Sequence, residues 1–370
     1  MVKINSLLPS NNICKDSLIE IKPKYSWREI NKVRKSNKLL TFGLELSKKC
    51  NLKCIYCYAD AGKLKPNELT LKETLNSIKQ AYELGAKKIG IIGGGETLLY
   101  PDLFKVIDFM RDLGISVSVF TNATLITPQI AKKLFERKAS IVAKCNSLNP
   151  ETQDFLSGVK GSFNLIQKGI KNLKVAGYPS KGHSVVIETI ICKQNFKELP
   201  DLWRWIRNQG FVPFFERLTL QGRAQDFIKQ IEVTPQEIYK TFKKLLEIDK
   251  REYGYTWPLQ PPWTSKVCDR HFYNAFMNSE GYIQPCSGVD IYVGNIRYQK
   301  LSEILRTSPI IQSLRYIDKN IKGYCSTCLF HKESRCYGCR GTTYQITGDI
   351  LESDPYCWNN TNLRGKKYAL

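Results

Sequence analysis

From residue 39 to about residue 225 the chain alternates short apolar runs with longer amphipathic stretches. LLTFGLELS (39–47), KKIGIIGGG (87–95), ISVSVFTN (115–122), SIVAKC (140–145), SVVIETIIC (184–192) and FVPFFERLTL (211–220) are rich in β-branched and aliphatic residues, and Gly, Asn or charged residues bound them. They read as six buried strands. Between them, helical periodicity predicts a helix starting at Thr70, where Glu73 completes a capping box, and further helices over 101–113, 127–137, 163–176 and 196–209.

Strands alternating with helices in this way argue for parallel βαβ units with right-handed crossovers, in either an open doubly wound sheet or a partial barrel. Either architecture puts its chemistry at the carboxyl ends of the strands. Near residue 225 the rhythm stops. Thr234 to Glu252 reads as one long amphipathic helix, Pro258, Pro261 and Pro262 punctuate its exit, and the remainder reads as short strands, turns and cysteines. Residues 1–38 are polar, with a short helical pattern near Ser26 to Lys35.

At 370 residues the chain suits two to three domains, and 42% hydrophobic with 24% charged residues places it among globular proteins. No window approaches the ~20 apolar residues of a membrane span. The first ten residues lack the basic and apolar regions of a secretory signal, so a cytoplasmic, non-membrane protein is expected. The formal charge of +22 admits an anionic partner such as RNA, although a Lys-rich, Ile-rich and Asn-rich proteome is the favoured account of it.

Thirteen cysteines change the picture. Without an export signal they do not suggest a disulfide framework. Cys50, Cys54 and Cys57 form one knot directly after the first strand. Cys268, Cys286, Cys325, Cys328, Cys336, Cys339 and Cys357 form a second set, and Cys14, Cys145 and Cys192 read as ordinary small buried residues. Three thiolates within eight residues select a soft metal centre, and a closed zinc site would need a fourth ligand that the neighbouring sequence lacks. Three thiolates on a four-iron cube leave one iron open.

This C-x3-C-x2-C spacing, with Tyr56 before the last Cys, resembles the radical SAM superfamily. The likeness extends to Gly94, Gly95 and Glu96 at the end of the second strand, similar to a GGE segment that holds the amino group of S-adenosylmethionine. It includes Thr121 and Asn122 at the end of the third strand, Asn146 and Ser147 at the end of the fourth, where a polar side chain meets the ribose, and Gly222-Arg223-Ala224 after the sixth. Thr97 stands where the family often has Pro, and Ala123 where it has Gly. The resemblance implies a partial (βα)6 TIM-like barrel over 39–225. It also implies homolysis of S-adenosylmethionine at a [4Fe–4S] cluster and hydrogen abstraction by the resulting 5′-deoxyadenosyl radical. An electron donor such as flavodoxin or ferredoxin would feed it.

By spacing alone the second set fits a zinc ribbon or iron–sulfur clusters equally. Its order, C-x12-G-x4-C then CxxC and three further cysteines, resembles the SPASM extension of radical SAM enzymes. Carried over by position, Cys325, Cys328, Cys336 and Cys357 would hold one auxiliary [4Fe–4S] cluster. Cys268, Cys286 and Cys339 would hold another, making three clusters in all. The latter has only three thiolates, and Asp269 and His271 are candidates for its fourth site. The organisation expected is a basic segment (1–38), a radical SAM barrel (39–225), a helical linker (226–262) and a smaller α+β Cys-rich domain (263–370).

Arg217 and Gln221 are placed to reach the cofactor carboxylate or to form ion pairs. Glu188 and Glu216 lie inside strands five and six, facing inward or outward. His183 and His331 read as loop residues, and Trp257, Trp263, Phe272 and Tyr273 as interdomain core or a peptide grip. Enzymes similar to this commonly modify a peptide or protein side chain, by crosslinking or oxidation, with a tetrapyrrole or other cofactor precursor as the alternative. Residues 1–38 are too short for a full leader-peptide recognition domain, so a peptide substrate would need a separate carrier or direct recognition by the C-terminal domain.

Overall fold

A computed structural model describes residues 25–264, 267–334 and 336–360. Cys14, most of the basic N-terminal segment and the last ten residues of the Cys-rich region lie outside the described residues.

Helix α1 (Trp27–Lys35), capped by Ser26, precedes strand β1 (Thr41–Leu44). Then follow α2 (Leu71–Glu83), β2 (Lys88–Ile91), α3 (Leu103–Asp112), β3 (Ser116–Thr121), α4 (Pro128–Glu136) and β4 (Ser140–Lys144). Two helices, α5 (Pro150–Ser157) and α6 (Ser162–Val175), lead to β5 (Val185–Ile191), and α7 (Leu199–Asn208) leads to β6 (Val212–Arg217). The expected capping box of Thr70 and Glu73 starts α2. Periodicity did not announce α5, which Asn149 and Pro150 start and Gly158, at φ +67°, stops.

The strands pair in parallel in chain order from β1 to β6. That order excludes the doubly wound sheet and makes a TIM-like partial barrel. Alternation explains its two faces. Phe42, Leu44, Ile89, Ile91, Val119 and Ile141 point outward into the helices. Apart from Phe120, the inward positions of β1 to β3 that line the cavity are small or polar (Thr41, Gly43, Lys88, Gly90 and Ser118), which leaves room for it.

Both barrel edges are covered by later chain. Strand β6 runs on through α8 (Ala224–Ile231) and α9 (Pro235–Ile248), and residues 262–264 then lie antiparallel along β6. Arg217 N donates to Pro262 O at 3.1 Å and Thr264 N to Phe215 O at 2.8 Å. On the opposite edge β7 (Asn274–Met277) pairs in parallel with β1, and β8 (Tyr282–Gln284) and β9 (Gly294–Asn295) extend the sheet to nine strands. The Cys-rich region therefore grows out of the barrel sheet. Beyond β9 it differs from the expected short strands: α10 (Leu301–Thr307), α11 (Pro309–Arg315), α12 (Ile317–Asn320), α13 (Gly323–Thr327), α14 (Leu329–Ser334) and α15 (Arg340–Thr347) follow one another. Each has four to eight residues, too few to show a helical period.

The segment expected as a linker packs on α7. Asp249, fully buried just after α9, accepts hydrogen bonds from Trp203 Nε1 (2.7 Å), Trp257 Nε1 (3.0 Å) and both Nε and Nη2 of Arg207 (2.9 and 2.6 Å). Replacing one partner of such a buried pair strands the other charge, which costs about 3–5 kcal/mol. Asp249→Ala should therefore lower the unfolding free energy by about that amount in an anaerobic urea titration, with Asp249→Asn intermediate. A shift below about 1 kcal/mol would show that the segment is a linker after all.

Candidate functional site

Cys50, Cys54 and Cys57 lie on the loop that leaves β1, and neighbouring backbone folds it into a fixed shape. Cys50 N donates to Gly62 O (3.0 Å) and Gly62 N to Lys48 O (2.9 Å), while Lys53 N and Ile55 N donate to the Ser157 and Leu156 carbonyls in the last turn of α5. Arg223 grips the loop from the far side, with Nη1 on Cys54 O (3.1 Å) and Nη2 on Ala61 O (2.7 Å). Gly222 and Arg223, part of the segment after β6, thus clamp the cysteine loop. Gly222 is at φ +55°, and a Cβ there would lie 2.6 Å from Tyr58 O.

Leu52 N and Ala61 N donate to the sulfurs of Cys50 and Cys57 at 3.5 and 3.4 Å. Burial pushes the Cys54 thiol up to about 12, against a hydrogen bond from Tyr56. Tyr56 is itself fixed by Asn146 Nδ2, which donates to its hydroxyl at 2.6 Å. Buried thiols with peptide N–H groups aimed at their sulfurs fit an iron–sulfur centre, since coordination deprotonates a thiol outright and the N–H groups then stabilise the thiolate.

Gly94 and Gly95 press the end of β2 against this loop. Gly95 N donates to Ser47 O and Glu96 N to Lys49 O, both at 2.8 Å. A Cβ on Gly95 would lie 2.0 Å from Lys49 O, and one on Gly94 2.2 Å from the Glu45 carboxyl carbon. The glycines thus serve the approach of two backbone segments, beside any approach of a ligand. The Glu96 carboxylate accepts from Thr121 Oγ1 (2.6 Å), Asn122 N (2.7 Å) and Leu98 N (3.0 Å), and burial raises it above the ordinary carboxylate value despite those bonds. Asn122 in turn reaches back to Asn51 on the cysteine loop at 2.9 Å. Ala123 keeps the left-handed conformation, φ +65°, that the family's glycine would take freely.

Three residues named for the cofactor are engaged by protein partners. Ser147 is fully buried and donates to Glu198 Oε1 at 2.6 Å, so its hydroxyl is spent inside the wall rather than turned to a ribose. Arg217 forms a buried ion pair with Asp354 of the C-terminal DPYC stretch, and Gln221 Nε2 donates to Gly288 O at 2.8 Å. Both tie the barrel to the Cys-rich region rather than reaching the cofactor carboxylate.

The second set of cysteines separates into two neighbourhoods. Burial pushes Cys286 up to about 12, with Cys339 and Cys268 close enough to add to the shift. Cys336 and Cys357 are likewise pushed up to about 12 by burial, with Cys325 acting on both. Around Cys268, Cys286 and Cys339 stand Arg217, Arg270 and Arg340, each with buried N–H groups that have no partner. Unpaired guanidinium N–H groups beside three thiols fit an anionic cluster, which would satisfy them. Among the described residues no three His, Cys, Asp or Glu side chains converge closely enough for a single metal ion. Burial, then Arg340 and Arg270, push His271 down to about 3, leaving a neutral imidazole. His331 Nδ1 lies 3.1 Å from Cys336 O, and His183 packs against Phe135 and Tyr178.

A cavity with about 1770 Å³ of empty space, counting its open mouth, runs along the inner barrel face from Tyr58, the residue after Cys57, to Cys268, Cys286 and Cys339. Glu188 and Glu216 both face into it. Lys144 Nζ, on the neighbouring strand, lies 2.6 Å from Glu188 Oε2. Glu45, Tyr58 and Lys144 were missed in the sequence. Counting by twos from Gly43 would have put Glu45 inside, where Ser279 Oγ donates to it at 2.8 Å.

Burial, then the charge of Glu188, raises the Glu216 carboxyl above its ordinary value, against Lys144 and Arg270. A carboxyl raised in the folded state stabilises it below the ordinary carboxylate range and loses that stabilisation as pH rises through the raised value. Glu216→Gln mimics the protonated acid. Its unfolding free energy should fall less than the parent's from about pH 5 to about pH 9, and equal slopes would refute the assignment.

Residues 44–206 match the radical SAM superfamily, and residues 268–329 match the SPASM iron–sulfur cluster-binding domain. The AdoMet-dependent heme synthase of Methanosarcina barkeri (strain Fusaro) is 30% identical over 346 residues, covering 85% of this chain and 94% of that one. The sporulation killing factor maturation protein SkfB of Bacillus subtilis (strain 168) is 25% identical over 291 residues, covering 75% of this chain and 67% of that one. Streptococcus suis SuiB bound to S-adenosylmethionine superposes with a TM-score of 0.65 at 19% identity, over 90% of this chain and 80% of that one. With a relative of that identity matched through both halves, the chain belongs to the radical SAM superfamily and carries a SPASM iron–sulfur domain on its barrel.

Proposed function

We propose that this radical SAM enzyme acts on a tetrapyrrole bearing carboxylate side chains, in the manner of a heme synthase. The observation that carries the reading is the match to the Methanosarcina barkeri enzyme, which extends through barrel and Cys-rich region alike. The cavity supports it. Phe120, Val142, Val186, Val212, Phe214 and Trp263 give it apolar walls, and Arg270 brings a guanidinium to the same space. An apolar ring system with anionic arms suits such a surface.

In this reading Cys50, Cys54 and Cys57 hold the catalytic [4Fe–4S] cluster, and the other seven cysteines hold two auxiliary ones. When bound, cluster and S-adenosylmethionine supply hydrogen-atom abstraction from an unactivated carbon. The protein's part is positioning. Arg223 and the end of α5 fix the cysteine loop, and the backbone from Gly94 to Glu96 borders the cofactor. Glu96 acts through Thr121 and Asn122 to hold the β2 and β3 ends in register. A flavodoxin or ferredoxin would deliver the electron.

The second reading, a peptide or protein side chain as substrate, is favoured by the match to SkfB, a maturation protein. The two are separated by 5′-deoxyadenosine formation in anaerobically reconstituted protein with reductant and S-adenosylmethionine. An iron–tetrapyrrole carboxylic acid should stimulate turnover and be modified. Stimulation only by a protease-sensitive fraction of host extract would replace the tetrapyrrole with a peptide, and an RNase-sensitive one would replace it with RNA. Cys50→Ala should abolish formation altogether; if it changes nothing, the cluster assignment is wrong.

Glu96→Gln offers a sharper test of the cofactor side. An amide keeps one acceptor but turns N–H groups toward a backbone donor, Asn122 N or Leu98 N, a mismatch worth about 1–3 kcal/mol. S-adenosylmethionine binding measured by calorimetry should weaken roughly ten- to hundredfold with iron content unchanged. Unchanged affinity would remove Glu96 from the cofactor site.

A further inference from the structure

The group of Cys268, Cys286 and Cys339 lacks a fourth thiol, and the described cysteines outside the three sets are committed elsewhere. Cys145 Sγ lies 3.5 Å from Ser147 O, and Cys192 packs with Ile55 and Tyr56 beneath the first cysteine loop. Of the two other donors near Cys268, Asp269 accepts the Tyr273 hydroxyl at 2.7 Å and does not line the cavity. His271 does line it, together with all three cysteines. Its side chain is held in one place: its ring centroid is 4.4 Å from that of Phe272 and 4.9 Å from that of Tyr337, and the residue is only 8% exposed. Its Nε2 has no hydrogen-bond partner.

The chain brackets this imidazole from both sides of the thiol group. The turn Arg270–Phe272 starts two residues after Cys268, and Tyr337 stands two residues before Cys339. Arg270 is within hydrogen-bonding reach of the Cys268 sulfur. Imidazole nitrogen replaces thiolate on iron in some iron–sulfur centres, so the donor type is suitable. We infer that His271 Nε2 is the fourth protein ligand of the auxiliary cluster at Cys268, Cys286 and Cys339. The inference rests on the three-cysteine reading above.

The test uses the full chain carrying Cys50→Ala, Cys54→Ala and Cys57→Ala, so that only the auxiliary clusters remain, with histidine labelled with nitrogen-15. Pulsed electron paramagnetic resonance of the reduced protein should show the hyperfine coupling of one directly bound histidine nitrogen. His271→Ala should remove it and His331→Ala should leave it. His271→Cys guards against misfolding: it should keep the iron content, lose the nitrogen coupling and lower the reduction potential, because thiolate favours the oxidised cluster. Full auxiliary iron with no histidine coupling, or coupling that survives His271→Ala, overturns the assignment. Iron content unaffected by Cys286→Ala overturns the three-cysteine reading beneath it, and the ligand with it.

Discussion

A six-stranded parallel sheet that fails to close has two edges of unpaired backbone groups, and everything after β6 is arranged around that constraint. Residues 262–264 satisfy the β6 edge, and β7 satisfies the β1 edge. These two pairings set where the second group of cysteines stands. Cys268 comes four residues after Thr264 is pinned to Phe215, and Cys286 comes two residues after β8. The chain thus approaches the open side of the barrel from both edges, and two thiols meet where the sheet would otherwise have closed. Asp354 supplies the third fix. It holds Arg217 of β6 and accepts from Cys339 N at 2.8 Å, so the last cysteine of the group is anchored to the barrel wall.

The same closure concentrates charge. Arg217 and Arg340 are buried and Arg270 half-buried around one space, where Asp354 pairs with Arg217 and Glu216 faces Arg270. Guanidinium groups keep their charge in any surroundings, so burial without anions would be costly. Thiolates and an anionic cluster held by them would offset it locally. The formal excess of +22 is therefore partly an internal matter, and it lends less weight to a nucleic-acid partner than the composition alone suggested.

Much of the barrel was legible because its signals are local. A capping box such as that of Thr70 and Glu73 closes within one turn, and a run such as SVVIETIIC needs only burial on both faces to read as a strand. The grouping of cysteines was legible for the same reason, since ligand spacing is short. Contacts across the fold were not. Arg217 stayed open between the cofactor carboxylate and an ion pair, because its partner lies 137 residues away in the DPYC stretch. Ser147 looked free because nothing nearby in sequence announced Glu198, 51 residues on. The six short helices after β9 escaped notice because each is shorter than the window in which a helical period can be seen.

The motif departures show how the site tolerates substitution. Ala123 holds φ +65°, a conformation that costs an L-residue about 1–2 kcal/mol. It keeps that conformation because its flanks are fixed: Asn122 N is bound by Glu96, Ala123 N donates to Thr121 Oγ1 at 3.0 Å, and Thr124 N donates to Asn122 Oδ1 at 3.0 Å. Glycine there would be easier on the backbone, yet the side-chain network leaves the turn little other choice. The carboxylate of Glu96 is the centre of that network, so the geometry of the third strand end depends on a residue of the second. In this chain the acid, through Asn122 N and Thr121 Oγ1, holds the turn that Ala123 occupies in place of glycine.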